Sequence, residues 1–317
     1  MKNETAPFPN SILYGNGLNR MTVEDPSWEE LLQSVCKEGT APLDNTVPNA
    51  MKCEEIFLAD KTDPAGTNRL FSKSEMFKVK KKIADASKLV TGNPYYDRLA
   101  HLDVVEYMTT NCDAALNHML EKYGMQLKGF NSEEILYSTC RNCTYGDPLK
   151  RIWNLHGFAK SPSSIMVGLD QYWGSVAKLQ NLQDNEKPLL KRLERGRHEV
   201  YCWADLFYMT NVHIVGFSMS YAEIDIWWVL SERMRRMKEN PELIQNQIHF
   251  YYIYQGKESR SFELLLQSMG VTVHKYRLNK HLRKNVRWVR LYDQIFADLE
   301  EAVGTQEFEL PEIPPMF

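Results

Sequence analysis

Short apolar runs alternate with segments of helical period along most of this chain. Runs rich in β-branched and aromatic residues predict buried strands. These runs are the start of Ser11–Arg20, Leu102–Met108, Leu149–Leu155, Ser164–Val167, Val212–Phe217, Ile248–Tyr254 and Val271–Tyr276. Helical periods separate many of them, as in Glu223–Met237, Phe262–Met269 and Trp288–Val303. Strands that alternate with helices predict an α/β fold with a doubly wound, Rossmann-like and mostly parallel sheet.

The stretch after the first strand has a different character. Residues 27–98 contain a helix start at SWEELL, polar and proline-containing stretches, and a helical period over Ser72–Lys88. No strong strand pattern appears before Leu102. We therefore expect a mostly helical insertion over residues 27–98, within one Rossmann-like domain formed by residues 1–26 plus 99–317. The pattern over Gly129–Cys143 fits neither a helix nor a strand clearly.

Composition narrows the class of protein without identifying it. The hydrophobic content of 43% and charged content of 25% are ordinary for a globular protein. A formal net charge of −3 gives no general attraction to nucleic acid or anionic membranes. No apolar run approaches the ~20 residues that span a bilayer, and the N-terminus lacks the apolar core of a signal peptide. We expect a cytoplasmic protein with no membrane contact and no sequence-specific nucleic-acid binding.

The cysteines do not form a metal-binding pattern. All six are expected to be reduced thiols in a chain without a secretion signal. Cys140 and Cys143 form a single Cys-x-x-Cys, whereas a structural zinc site needs a second such pair or two histidines at metal spacing. We expect no metal, and the role of these two cysteines stays open.

Polar and glycine residues lie at the ends of four of the predicted strands. They are Gly15-Asn16-Gly17, Thr110-Asn111-Cys112-Asp113, His156-Gly157 and Gly216-Phe217-Ser218. A parallel doubly wound sheet brings the carboxyl ends of its strands to one edge, where such folds bind their ligands. The four segments can therefore converge on one ligand.

Each segment also has a purely structural interpretation. Gly-x-Gly is a common tight turn, and Thr110, Asn111 or Asp113 can cap the helix that follows. A histidine such as His156 at the end of an apolar strand is often a structural residue with satisfied hydrogen bonds. The ordered set of four carries more weight than any single segment.

The set resembles the sirtuin-like family, specifically the bacterial NAD-hydrolysing branch found in antiphage defence. The matching segments are GNGLNR at the first turn, MTTNCD for the Thr-x-Asn-x-Asp segment, LHG at the histidine strand and GFSMS at the late Gly-x-Ser turn. SWEELL and LDQYW are also similar to that branch. Protein-deacylating members carry a four-cysteine zinc module after the histidine strand, and this sequence has no such module there.

The resemblance implies a role for each segment. Gly15, Asn16 and Gly17 would approach the pyrophosphate of NAD, and Gly216 and Ser218 would bind the phosphates or the adenosine ribose. Asn111 would hold the nicotinamide ribose or an attacking water. His156 would be a polar or general-base residue at the ribose hydroxyls. Thr110 and Asp113 would bind the cofactor, Asp113 at the nicotinamide amide.

The implied activity is that of an NAD⁺ nucleosidase, which cleaves NAD to nicotinamide and ADP-ribose. Cleavage passes through an oxocarbenium-like state, so the site must orient the substrate, stabilise positive charge and deliver a nucleophile. A neutral imidazole can activate water near pH 7. The alternatives are a protein deacylase or ADP-ribosyl transferase, and a non-catalytic nucleotide-binding subunit of a defence complex. The resemblance also implies regulation by assembly, with a separately encoded partner such as a DNA-translocating ATPase. We predict homo-oligomers because the aromatic helices around Trp227–Trp228 and Trp288 look exposed in the sequence.

Overall fold

The chain forms an α/β structure around one central sheet. The computed structural model describes residues 8–21, 47–58, 73–131, 140–256, 259–279 and 281–308. The sheet has eight strands: β1 (Asn10–Tyr14), β2 (Glu106–Thr109), β3 (Gln126–Asn131), β4 (Asn142–Gly146), β5 (Lys150–Asn154), β6 (Asn211–Val215), β7 (Ile248–Tyr254) and β8 (Val271–Arg277). Their order is β3-β4-β5-β2-β1-β6-β7-β8, and all neighbours from β5 to β8 pair in parallel. The predicted doubly wound, mostly parallel fold is confirmed.

Helices cover the sheet. The described α-helices are α1 (Asn49–Leu58), α2 (Lys73–Ser87), α3 (Pro94–Ala100), α4 (Ala115–Lys122), α5 (Leu169–Asn181), α6 (Leu189–Glu194), α7 (Leu206–Met209), α8 (Ile224–Glu239), α9 (Arg260–Ser268) and α10 (Lys284–Val303). Short 3₁₀ turns lie at Asn16–Met21, Pro162–Ser164 and Trp203–Asp205. Within the described ranges, no helix combines the length and apolar character needed to cross a membrane.

The chain begins at the centre of the sheet and winds outward in two directions. From β1 it proceeds to β2 and β5 on one side, and later from β6 to β7 and β8 on the other. Leu13 of β1 therefore pairs with Met108 of β2 on one flank and Ile214 of β6 on the other. The direction reverses between β1 and β6, which makes their carboxyl ends the topological switch point.

Apolar side chains fill a core on each face of the sheet. Helices α3, α4 and α10 cover one face, with Tyr96, Leu116 and Ile295 fully buried. Helices α5 to α9 cover the other face, with Phe207 and Leu230 buried among them. Each large apolar side chain buried in this way stabilises the fold by about 1.5–3 kcal/mol. Burial on both faces explains why the central strands β1 and β6 are mostly apolar.

The predicted strand over Ser164–Val167 is wrong. Ser164 ends a 3₁₀ turn, and the next three residues have no regular structure. Their backbone N–H groups donate outside any strand ladder: Met166 to the carbonyl of His156 and Val167 to the side chain of Gln171. The segment is apolar because it packs in a third core cluster with α1 and α2, not because it belongs to the sheet.

The second predicted strand is shorter than its apolar run. Leu102 and Val104 are buried in the loop before β2, where their carbonyls accept hydrogen bonds from Lys150 Nζ at 2.7 and 2.8 Å. Burial lowers the pKa of Lys150 to about 8. The ambiguous Gly129–Cys143 region includes parts of β3 and β4, which form an antiparallel pair at one sheet edge.

The predicted insertion contains three described helices, α1, α2 and α3. The helix expected at SWEELL lies outside the described residues. Asn93 caps α3 by accepting the N–H of Tyr95, with Pro94 in the first turn. Helix α3 crosses the expected boundary at residue 98, and Tyr96 and Leu99 belong to the main core. The division into domain and insertion stays a prediction.

Candidate functional site

A cavity of about 460 Å³ opens at the carboxyl ends of the parallel strands and includes the switch point. Residues that follow β5, β2, β1 and β6, and the end of β7, contribute to its wall. Six of the predicted site residues line it: Asn16, Gly17, Thr110, His156, Gly216 and Ser218. The convergence expected from the strand order is therefore present in the structure.

Three predicted site residues lie outside the cavity lining: Gly15, Asn111 and Asp113. Both polar side chains are only 5% exposed. Asn111 donates its backbone N–H to Thr109 Oγ1, and its Nδ2 lies 3.4 Å from the hydroxyl of Tyr96. Asn111 and Asp113 are therefore buried outside the cavity lining, whereas Thr110 is part of it.

The glycines let two turns pass closely at the switch point. The N–H of Gly17 donates to the carbonyl of Gly216 at 2.7 Å, and the N–H of Gly15 donates to the carbonyl of Val215 at 3.2 Å. A Cβ on Gly17 would lie 2.5 Å from the Gly216 oxygen. Gly216 itself has φ +61°, a conformation that favours glycine. The N–H groups of Gly15 and Gly17 thus donate to carbonyl groups at the end of β6.

A hydrogen-bond network joins the turn after β1 to the segment that follows β2. Asn19 Nδ2 donates to Asn16 Oδ1 at 2.8 Å and to Asp113 Oδ2 at 2.9 Å. Tyr96 donates its hydroxyl to Asn19 Oδ1 at 2.5 Å. Asp113 Oδ1 also accepts the N–H of Ala115 in the first turn of α4. Asp113 therefore combines a helix-start contact with support of the first turn.

His156 lies at the start of a loop that folds back over the end of β5. Gly157 has φ +108°, and a Cβ there would lie 2.5 Å from the Cα of Ile165. Only glycine permits this close approach, which lets Met166 N–H bond to the carbonyl of His156. The buried imidazole packs edge-on against the ring of Tyr172, with centroids 5.0 Å apart.

A buried carboxylate holds the imidazole. Nε2 of His156 lies 2.9 Å from Oδ2 of Asp225, which is fully buried in the first turn of α8. The helix N-terminus favours the negative charge of this carboxylate. Burial lowers the pKa of His156, but the charge and hydrogen bond of Asp225, with the charge of Glu223, outweigh it and leave the pKa raised. The two carboxyl groups therefore favour the imidazolium form more than water does around a free histidine.

Glu223 completes the group. The segment after β6 carries it to the cavity wall, where its Oε2 lies 3.6 Å from Nδ1 of His156. Burial raises the pKa of Glu223 to about 7, although His156 lowers it, and Asp225 adds to the increase. Near neutral pH this carboxyl group can accept or release a proton.

Metal binding is the other chemistry that such a group could support. In the described part of the chain, one set of potential ligand atoms, from His156, Glu223 and Asp225, lies within 4.8 Å of one another. The His156 nitrogen and Asp225 oxygen that face each other already form a 2.9 Å hydrogen bond. The set is therefore organised as hydrogen-bonded acid–base groups, and the expectation of no metal stays a prediction.

The two cysteines of the Cys-x-x-Cys have different surroundings. Cys143 is buried in the main core, whereas Cys140 is half-buried with its thiol near the carbonyl of Tyr201. Burial raises the pKa of Cys143 to about 11. This thiol therefore stays protonated near neutral pH.

Sequence reasoning did not identify Asp225 and Glu223 as site residues. Both fall in a segment whose apolar period predicts an amphipathic helix, and that helix is present as α8. Their position just after the Gly-x-Ser turn that ends β6 was the available signal, since polar residues there face the ligand edge.

Comparison with known proteins adds no assignment. No protein-family model matches this chain, and no curated protein matches it. The functional argument therefore depends on the geometry of the cavity.

Proposed function

We propose that this protein hydrolyses the N-glycosidic bond of NAD and releases nicotinamide and ADP-ribose. The observation that carries the proposal is the group formed by buried His156 and Asp225 and half-buried Glu223, at a cavity on the switch point of a doubly wound sheet. Switch points of this fold are the usual place for dinucleotides. A volume of about 460 Å³ is within the range for a site that buries most of an organic ligand.

The cavity offers one acid–base region and one aromatic region. His156, with Glu223 and Tyr172 beside it, forms the acid–base part of the lining, and Trp288 and Tyr292 of α10 contribute aromatic rings. We assign the acid–base region to the nicotinamide ribose, where bond cleavage occurs. The aromatic region offers ring faces for the adenine end.

The biological role is proposed by resemblance to the sirtuin-like NAD hydrolases. In that role the enzyme would deplete NAD during phage infection, as a cytoplasmic homo-oligomer with a separately encoded partner. The half-buried Trp227, Trp228 and Trp288 that suggested subunit contacts pack against the two main cores of the same chain. Oligomerisation therefore stays a prediction.

Nicotinamide release from NAD tests the activity directly. The purified wild-type protein should release nicotinamide, and His156→Ala should lower the rate at least about 100-fold, because it disrupts the acid–base cluster of His156, Asp225 and Glu223. The change also leaves the buried Asp225 carboxylate without its partner.

His198→Ala, at an exposed position, is the matched control and should retain the wild-type rate. Equal rates in both variants would contradict the assigned site. NAD binding without release in the wild type would instead favour a non-catalytic binding subunit, and calorimetry would detect it.

A further inference from the structure

Glu223 stands out among the groups of the cavity because one of its buried carboxylate oxygens has no hydrogen-bond donor among the described residues. We propose that Glu223, rather than His156 or Asn111, is the general base that activates the water attacking C1′ of the nicotinamide ribose. This assignment rests on the proposed NAD hydrolysis and names the residue that performs its proton transfer.

The geometry of Glu223 supports a role toward a ligand. Its Oε2 is buried and has no hydrogen-bond partner among the described residues, although the residue lines the cavity. Its backbone is fixed by hydrogen bonds: its N–H donates to Ser220 and its carbonyl accepts from Trp227. A buried carboxylate oxygen without a donor is costly unless a ligand or water supplies one. A water bound in the cavity can supply that donor.

His156 is poorly suited to accept a proton. Its Nε2 is already bonded to Asp225, and the two neighbouring carboxyl groups favour its protonated form. An imidazolium has no free lone pair on either ring nitrogen. The structure instead assigns His156 a positioning role, in which its positive charge holds Glu223 in the ionised form.

Asn111 cannot replace Glu223 as the general base. A carboxamide does not accept a proton near neutral pH, and this side chain lies outside the cavity lining. Its support of the Tyr96 and Asn19 network connects it to the wall of the site, not to the reacting water.

The step balances without a further reactant. The bond between C1′ and the pyridinium nitrogen breaks, and its electron pair neutralises the leaving nicotinamide. The water oxygen forms a bond to C1′, and the proton it loses is transferred to a carboxylate oxygen of Glu223. The same negative charge stabilises the oxocarbenium-like state, as carboxylates do in glycoside cleavage.

Three titratable groups lie near Glu223, and a fourth lines the same cavity. His156 approaches from the end of β5, Asp225 from α8 and Tyr172 from α5, and Cys53 of α1 lines the same cavity. Burial holds the pKa of Tyr172 well above its usual value, so its hydroxyl stays protonated. The ionisation of Glu223 is therefore coupled mainly to His156 and Asp225.

The decisive experiment compares pH profiles of nicotinamide release for wild-type protein, Glu223→Gln and Glu223→Asp. The wild-type kcat/KM should rise with pH through an apparent pKa of about 7, because the base must be ionised. Glu223→Gln should lower kcat at least about 100-fold and abolish this rise. Glu223→Asp should keep the rise at a reduced rate, since it retains a carboxylate. Glu239→Gln, exposed near the end of α8, should match the wild type.

The outcomes separate this assignment from the proposed activity. NAD binding by Glu223→Gln, measured by calorimetry, should remain near the wild-type value and shows that the cavity is intact. If wild-type protein releases nicotinamide and Glu223→Gln retains both the rate and the pH rise, Glu223 is not the base while the activity stands. If wild-type protein releases none, the proposed activity and this assignment both fail.

Discussion

Two buried histidines of this protein have pKa values shifted in opposite directions. His156 faces two carboxyl groups, which raise its pKa despite burial. His213 of β6 is also buried, but its ring stacks on that of His249 with centroids 4.8 Å apart. Burial first, and then His249 and His274, lower the pKa of His213 to about 3. Burial lowers the pKa of both histidines, and the neighbouring carboxyl groups reverse this effect only at His156.

His213 should make the protein less stable in acid. A group whose folded pKa is lowered contributes stability above its unfolded pKa near 6.5 and loses it as pH falls, because the unfolded chain binds the proton first. His213→Gln should reduce the pH slope of the unfolding free energy by about 1.4 kcal/mol per unit between pH ~6 and ~4. Urea titrations at several pH values measure this slope, with His198→Gln as an exposed control. An unchanged slope would refute this cause.

Individual site residues were predictable only where they follow a strand directly. His156 and Thr110 were placed because an apolar run ends just before them. Asp225 contacts His156 from 69 positions later in the chain, a distance that no local pattern encodes. Asn111 and Thr110 are neighbours in sequence, yet only Thr110 lines the cavity. That difference depends on side-chain direction, which packing determines.

At the scale of elements, the contact between the turns after β1 and β6 holds Gly17 and Gly216 in the cavity lining. Gly17→Ala would place a Cβ 2.5 Å from the Gly216 oxygen and 2.7 Å from the Tyr292 hydroxyl. Such overpacking should cost about 1–3 kcal/mol of unfolding free energy and weaken NAD binding. Chemical denaturation and calorimetry measure both effects. Gly129→Ala, whose nearest contact would lie at 3.9 Å, should leave both unchanged.

Elements with a strong period were predicted well. The apolar run over Ile248–Tyr254 matches β7 residue for residue, and Val271–Tyr276 lacks only the last residue of β8. Ser164–Val167 failed because apolar residues in a buried loop have the same pattern as a short strand. The loop satisfies its N–H groups through His156 and Gln171, and these contacts were not visible in the sequence.

At the scale of the whole molecule, the order of strands and helices was enough to predict the fold class and the edge of the sheet that holds the cavity. The alternation of elements leaves few topologies for a parallel sheet. The contribution of α1 was not predictable in this way. Its residues Ala50 and Cys53 line the cavity although they precede β2 in the chain by some 50 residues. Tertiary packing alone brings them there.

The described residues that line the cavity include no lysine and no arginine. Apart from the His156 imidazole, a dinucleotide pyrophosphate would therefore be met by neutral amide, hydroxyl and backbone dipoles and not by lysine or arginine charges. Such contacts are barely screened by dissolved ions, unlike pairing with lysine or arginine. The dissociation constant for NAD should change less than about twofold between roughly 50 and 500 mM sodium chloride. Without lysine or arginine to attract the pyrophosphate, NAD should also bind to the protein more slowly than a ligand that is steered by opposite charges, at any ionic strength.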